Sequence, residues 1–118
     1  MTNKNQRKNY LIPDLKNKSK LNKKIILKNL NHYRDFISLE DISKIIIMLL
    51  KKKYGGVINI GTGKGTYLKD ISKIIFSKTN KLPVYKDNIK STYLVANNKK
   101  LKKLLKIKLN MNINKMIY

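Results

Sequence analysis

The sequence predicts a mixed α/β fold, read as one compact unit, and three observations predict it. Two segments, from Ser38 and from Thr66, repeat apolar residues at helical spacing. Short apolar runs rich in β-branched residues, KKIILK, VINI and LPVY, stand beside them. Glycines fall where one period gives way to the other. At 118 residues the chain can bury a modest core, but it is too short for a cofactor domain and a substrate domain together. With no repeat or long linker, residues 1–118 are expected to be one domain or part of one.

Taken in order, LIPDLKNKSKL from Leu11 reads as a short helix with Pro13 in its first turn, where its missing N–H is harmless. KKIILK predicts a strand around Ile25 and Leu27, and the loop NLNHY separates it from RDFIS. Ser38 and Asp41, three residues apart, form a start like a capping box, and Ile42, Ile45, Ile46, Leu49 and Leu50 predict one inward face. Glu40 and Asp41 in the first turn and Lys51, Lys52 and Lys53 in the last suit the helix dipole, with Gly55-Gly56 predicted to stop it. VINI is expected as a buried strand that runs into a glycine turn. A second helix is predicted from Thr66, as N-cap, to about Ser77, with Leu68, Ile71, Ile74 and Ile75 inward. LPVY predicts another short strand, and a third helix from Asn97 or Asn98 carries Leu101, Leu104 and Leu105. The tail LNMNINKMIY has little pattern, although its last residues resemble a helix start.

The formal charge of +22 points by itself to nucleic acid or an anionic surface. Of the 28 basic residues, however, only Arg7 and Arg34 are arginine, and alanine occurs only at Ala96, a bias of the kind an AT-rich genome produces. Lysine then fills ordinary solvated positions, and basicity is weak evidence of function. The absence of cysteine excludes disulfide and thiol chemistry, and a single histidine among six carboxylates leaves little for a metal site. The start MTNKNQRKNY is polar, and the longest apolar run, IIIMLL at residues 45–50, is far too short to span a bilayer, so a soluble, cytoplasmic protein without a membrane partner is expected.

VINIGTGKGTYL, residues 57–68, invites a phosphate-loop reading, because Gly61, Gly63 and Gly65 surround Lys64 ahead of a helix. The spacing does not support it. GxxxxGK[ST] needs a hydroxyl residue after Gly-Lys, but Gly65 follows Gly63-Lys64 and Ile58 stands where the first glycine belongs. GxGxxG fails as well, since its third glycine falls on Thr66 in one register and on Leu68 in the other.

The ordered set YLIPDL, KKIILK, RDFISLEDISKII, GGVINIGTGKGTYLKDISKII and VANNKKLKKLLKIK resembles the C-terminal part of the NAD-dependent epimerase/dehydratase family, the extended short-chain dehydrogenases that act on nucleotide sugars. RDFI before one helix and NIGTG before the next carry the resemblance, which spans nearly the whole chain. It implies a partial extended short-chain dehydrogenase fold: a C-terminal substrate-binding region with about three helices and short strands, and no Rossmann cofactor domain. In this family the Rossmann half holds NAD(P) and carries a tyrosine and a lysine four residues apart. Neither mark is present: Tyr67 is followed at that distance by Ile71, Tyr85 by Ile89 and Tyr93 by Asn97.

By the same resemblance the glycines of residues 61–65 serve a tight backbone turn. The arginine of RDF, Arg34, reaches the diphosphate of the sugar nucleotide, a task suited to a planar group that bonds two oxygens at once. The alternative for Arg34 is a surface ion pair with Asp35 or Asp41. Asp41 matches the family's aspartate at the helix start and is read as structural. Leu11, in the segment bordering the sugar nucleotide, and Leu27, on the strand whose backbone lies near the base, are further substrate-binding candidates, and either could equally be core. Lys86 is the nearest stand-in for a second phosphate-contacting arginine. Lys69 replaces the family's usual glutamate, Asn29 and Asn31 stand where relatives prefer glycine, Asn97 occupies a usual aspartate position, and His32 is expected to be an exposed loop residue.

The resulting expectation is a truncated or split nucleotide-sugar epimerase/dehydratase. It would contribute sugar-nucleotide binding, have no catalytic residue and bind no cofactor alone, with NAD(P) implied for the complete enzyme and a separate Rossmann-half polypeptide as a candidate partner. Whether the chain is itself an enzyme is left open. The alternative is a small basic protein that binds nucleic acid or another anion. The aromatic residues do not cluster with lysines along the sequence, and no nucleic-acid motif is visible, so no specific nucleic-acid partner is expected.

Overall fold

A computed structural model describes residues 6–118; the first five residues of the polar start lie outside it. The element order is α1 (Leu11–Lys20), β1 (Ile26–Lys28), β2 (Tyr33–Asp35), α2 (Leu39–Lys51), β3 (Gly65–Tyr67), α3 (Leu68–Phe76), β4 (Val84–Lys86), β5 (Tyr93–Leu94), α4 (Lys99–Leu105) and α5 (Ile113–Ile117). The chain divides into two compact units. Unit one comprises Asp35–Gly65 and Leu94–Tyr118, and unit two the described residues up to Arg34 with Thr66–Tyr93. β1 and β4 form a two-stranded sheet, and β3, β2 and β5, in that order, form a three-stranded one. β2 takes Arg34 and Asp35 of RDFIS together with Tyr33, the last residue of the expected loop NLNHY.

Unit one is built on α2 and α4, with Ile37, Ile45, Leu101, Leu105 and Leu109 buried together and Ile42, Met48 and Leu49 packed against them. α2 begins as its sequence predicts: the Ser38 hydroxyl accepts the Asp41 N–H at 3.1 Å. Its inward face is rotated from the expected one. Ile45 is fully buried, but Ile46 is 46% and Leu50 71% exposed. The cause lies at the helix start, where the buried Asp41 carboxylate accepts the Asn110 N–H at 2.9 Å and turns the 41-45-48 side of the helix inward.

α2 also ends earlier than its glycines. Lys53 adopts the left-handed conformation at φ 51°, its N–H bonds Leu50 O at 3.0 Å, and the next N–H, from Tyr54, bonds Leu49 O at 3.1 Å. That pair of bonds is a Schellman cap with lysine where glycine is usual, ahead of Gly55-Gly56. VINI does not become a strand: residues 57–60 belong to no sheet, Val57 is 85% exposed, and only Ile58 and Ile60 lean on the core.

Unit two packs α1 against α3, with Ile12, Leu15, Ile71, Ile75 and Phe76 buried. β1 and β4 run parallel with Ile26 opposite Val84, Leu27 opposite Tyr85 and Lys28 opposite Lys86. The Ser72 and Tyr85 hydroxyls meet at 2.6 Å, giving the buried face of α3 a polar tie to β4. Thr66 is not the N-cap of α3. It lies in β3, the cap is Tyr67 without a side-chain bond, and the Leu68 N–H is satisfied by His32 O at 3.0 Å. α4 begins after Asn98, as predicted, and the tail does form a short helix, α5, whose Asn112 side chain accepts the N–H groups of Asn114 and Lys115.

Candidate functional site

In unit two the segment after β1 is fastened to the segment after β4 by side chains as well as backbone. The Asn29 N–H donates to Lys86 O at 2.9 Å, the Asn88 N–H to Asn29 Oδ1 at 2.9 Å, and Asn31 Nδ2 to Ile89 O at 2.7 Å. Farther along, the Tyr33 N–H donates to Thr92 O at 2.9 Å and the Thr92 N–H to His32 Nδ1 at 3.1 Å. Asn29 needs its left-handed φ of 55° to start this ladder, a conformation asparagine tolerates better than most residues. Asn29 and Asn31 are therefore ties, and His32 is a half-buried clamp on Thr92, not an exposed loop residue.

Arg34 sits at the far end of that ladder. Its Nη1 donates to Tyr33 O at 2.7 Å, Thr92 Oγ1 at 2.9 Å and Thr92 O at 3.4 Å. Its recorded partners include neither Asp35 nor Asp41, so the surface ion pair is not formed. One corner of the guanidinium is fixed, while Nε and Nη2 make no hydrogen bond among the described residues. An anchored fork with open donors is suited to a bidentate anion.

Lys86 lies at the other end of the ladder, exposed on β4 and opposite Lys28. Leu11 is the half-buried first residue of α1. The Leu27 side chain is only 3% exposed, so it belongs to the core and only its strand backbone could meet a ligand. A cavity of about 610 Å³ in unit two is lined by Lys73, Phe76, Leu82, Pro83, Tyr85 and neighbours and touches none of these four residues. Its lysines are engaged elsewhere, Lys81 with Ser19 O at 3.0 Å and Lys73 with Asp70 at 3.4 Å, and no set of polar groups converges on it.

Asp35, next to Arg34, belongs to unit one and explains the glycine turn. Its carboxylate accepts the N–H of Thr62 at 3.0 Å, of Gly63 at 2.9 Å and of Ala96 at 3.3 Å, together with the Thr62 hydroxyl. The anion cradled by this loop is the chain's own carboxylate. A Cβ on Gly61 would collide with the Ala96 methyl and come within 2.7 Å of Asp35 Oδ2, and Gly63 holds φ 74° beside Asn98. Both glycines are required by close approach and backbone conformation. The N–H groups that a dinucleotide's pyrophosphate would need are occupied, so the turn does not fit NAD(P). No group of acidic, histidine or cysteine residues suited to a metal ion occurs among the described residues.

Three tyrosines that the sequence keeps apart come together across the three-stranded sheet. The Tyr33 ring stacks on Tyr67 at 4.9 Å and lies 5.6 Å from Tyr93, one ring from each strand. Lys69, paired with Asp87, places its ammonium 5.9 Å from the Tyr67 ring and 5.4 Å from that of Tyr85. Aromatic and lysine residues therefore do cluster in space, contrary to their spacing in the sequence. Tyr33 turns its ring toward Tyr67 rather than displaying it to a base, as expected of cross-strand pairing. No helix among the described residues is long and apolar enough to cross a membrane.

No family model and no curated protein matches the chain. Solved structures do. The chain aligns with RMD from Pseudomonas aeruginosa, complexed with NADPH, at a TM-score of 0.82 and 12% identity over 98% of this chain and 42% of that one. WbmG from Bordetella bronchiseptica, in complex with NAD and UDP, gives 0.76 and 19% over 92% of this chain and 35% of that one. UDP-glucuronic acid 4-epimerase from Bacillus cereus, in complex with NAD, gives 0.73 and 20% over 95% of this chain and 36% of that one. The chain thus spans about two fifths or less of these proteins' length. Its α/β fold is strongly similar to that part of these three proteins.

Proposed function

We propose that this chain is the sugar-nucleotide-binding, C-terminal part of an NAD-dependent nucleotide-sugar epimerase/dehydratase. The NAD(P) site and the proton-transferring tyrosine reside in a Rossmann part, on a separate polypeptide or elsewhere on the same one. The observation that carries this reading is Arg34, held at Nη1 by Thr92 and Tyr33 O with the rest of its fork open. The complexes of similar fold with NAD and UDP support it.

In this reading the open edge of Arg34 grips the diphosphate in one plane. Lys86 adds a charge that is more hydrated and less fixed. Leu11 and the backbone at Leu27 border the nucleoside. NAD(P) supplies hydride chemistry from the other part, and none of the described residues is assigned a catalytic role. The reading as a general nucleic-acid binder is weaker, because the tyrosine rings engage one another.

Calorimetric titration with UDP-glucose of this chain joined to a Rossmann part tests the proposal. Arg34→Ala is expected to weaken binding by about 1.5–3 kcal/mol, roughly ten- to a hundredfold, with Arg34→Lys intermediate and Lys86→Ala milder. Arg34→Ala binding like the parent overturns it. The 118-residue chain alone is expected to leave NADH fluorescence unchanged.

A further inference from the structure

His32, Thr92 and Arg34 share one run of hydrogen bonds, and the donor and acceptor in each can be assigned. The backbone N–H of Thr92 can only donate, and it meets His32 Nδ1 at 3.1 Å, so this ring nitrogen carries no proton. The imidazole is therefore neutral, with its hydrogen on Nε2. Arg34 Nη1 likewise can only donate, so Thr92 Oγ1, 2.9 Å away, accepts from it and turns its own hydrogen to His32 Nδ1, also at 2.9 Å. The other short bond of Nη1, to Tyr33 O, reaches the preceding residue of the same strand and travels with it. Among the described residues only Thr92, just ahead of β5, ties the guanidinium to the chain beside it.

A proton on Nδ1 upsets this order. The ring would then present an N–H to the Thr92 N–H, two donors 3.1 Å apart with no acceptor between them, and His32 and Thr92 would have to part. The charged groups on the adjoining elements do not offset this. Asp35 is engaged in the glycine turn, Asp87 with Lys69 and Asp70 with Lys73, whereas Arg34 and Lys90 are basic. Tyr33 packs its ring on Tyr67 and Tyr93, and no ion pair of His32 is recorded among the described residues. We infer that His32, acting through Thr92, is a positioning residue that keeps the Arg34 fork set for a diphosphate only while its ring is neutral, so that acid releases the fork. This rests on the function proposed above.

The first arm of the test needs no ligand. Nitrogen NMR of the 118-residue chain at about pH 7.5 is expected to show His32 as the Nε2–H tautomer, with the Arg34 Nη1 hydrogens resolved from those of Nη2. As His32, the chain's one histidine, takes up a proton toward about pH 5.5, the Arg34 signals should merge through free rotation while circular dichroism stays unchanged. Thr92→Val should merge them at both pH values, and Thr92→Ser should behave as the parent. His32→Asn, whose Oδ1 keeps a neutral acceptor near the place of Nδ1, should hold them resolved at both. In the chain joined to a Rossmann part, the same acidification should weaken UDP-glucose binding about tenfold in the parent and leave it unchanged in His32→Asn. An Nδ1–H tautomer at about pH 7.5 overturns the inference, as do Arg34 signals that ignore the His32 titration or merge only with loss of circular dichroism. Acid that tightens binding, or that weakens parent and His32→Asn equally, overturns it as well. UDP-glucose binding that is insensitive to Arg34→Ala, with the NMR coupling intact, overturns only the substrate reading.

Discussion

Arg34 and Asp35 are adjacent in sequence, yet one belongs to unit two and the other to unit one, and their charges are used in opposite ways. Asp35 has its carboxylate filled by three backbone N–H groups and a hydroxyl, and holds a turn closed. Arg34 is fixed at one corner and left open at the rest. Unit one uses its aspartates to fasten backbone, as the buried Asp41 does again at Asn110. Unit two fastens its backbone with asparagine and histidine and leaves part of the Arg34 fork open among the described residues. A charge with every bonding direction satisfied inside the chain is structural, whereas one with anchored but open donors is a candidate for recognition.

The largest expected effect tests Asp35. Asp35→Ala removes the acceptor for several partly buried donors at once and should lower stability by about 3 kcal/mol in urea unfolding. A loss below about 1 kcal/mol would mean that the turn closes without it. The contrast sharpens with Arg34→Ala, whose stability cost should be only about 0.5–1 kcal/mol because its bonds to Thr92 are exposed, while ligand binding falls as stated above. Equal stability losses for the two variants would remove the distinction. Ser38→Ala should cost about 1 kcal/mol by uncapping α2, read as a shift in the denaturant midpoint.

The smallest effect concerns Lys69. Its pKa is raised above the ordinary 10.5 by the hydrogen bond with Asp87, opposed in part by desolvation. Because the folded value is the higher one, the stabilisation is fully present at neutral pH and is lost as pH rises past 10.5 through the folded value. Lys69→Met should therefore be slightly less stable than the parent at pH 7, with the difference shrinking in strongly alkaline solution. A difference independent of pH would assign the effect to packing on Tyr67 and Tyr85.

Much of the fold is written locally. Ser38, the run from Ile42 and the lysines ahead of Gly55 specify α2 through capping and periodicity, and α1, α3, α4 and β1 were legible from their apolar pattern, without a side-chain cap at the three helices. Arg34 was legible as a candidate because an arginine in RDF stands out in a chain that is otherwise lysine-rich. The tyrosine stack was not, since Tyr33, Tyr67 and Tyr93 are far apart in the chain and meet only through the strand order β3-β2-β5.

The sequence by itself determined the helices, the need for glycine somewhere in residues 61–65, and the absence of a dinucleotide fingerprint, because capping, period and motif spacing depend on neighbours a few residues apart. Tertiary structure alone decided which face of α2 turns inward, that Lys53 and not Gly55 takes the left-handed cap, that the glycine turn holds Asp35 instead of a phosphate, and that VINI joins no sheet among the described residues. Each of these depends on a partner distant in sequence, such as Asn110 for Asp41 or Thr62 for Asp35, or on pairing that no local pattern can supply. A β-branched run states that a strand is affordable at that place; only a neighbouring backbone makes it one.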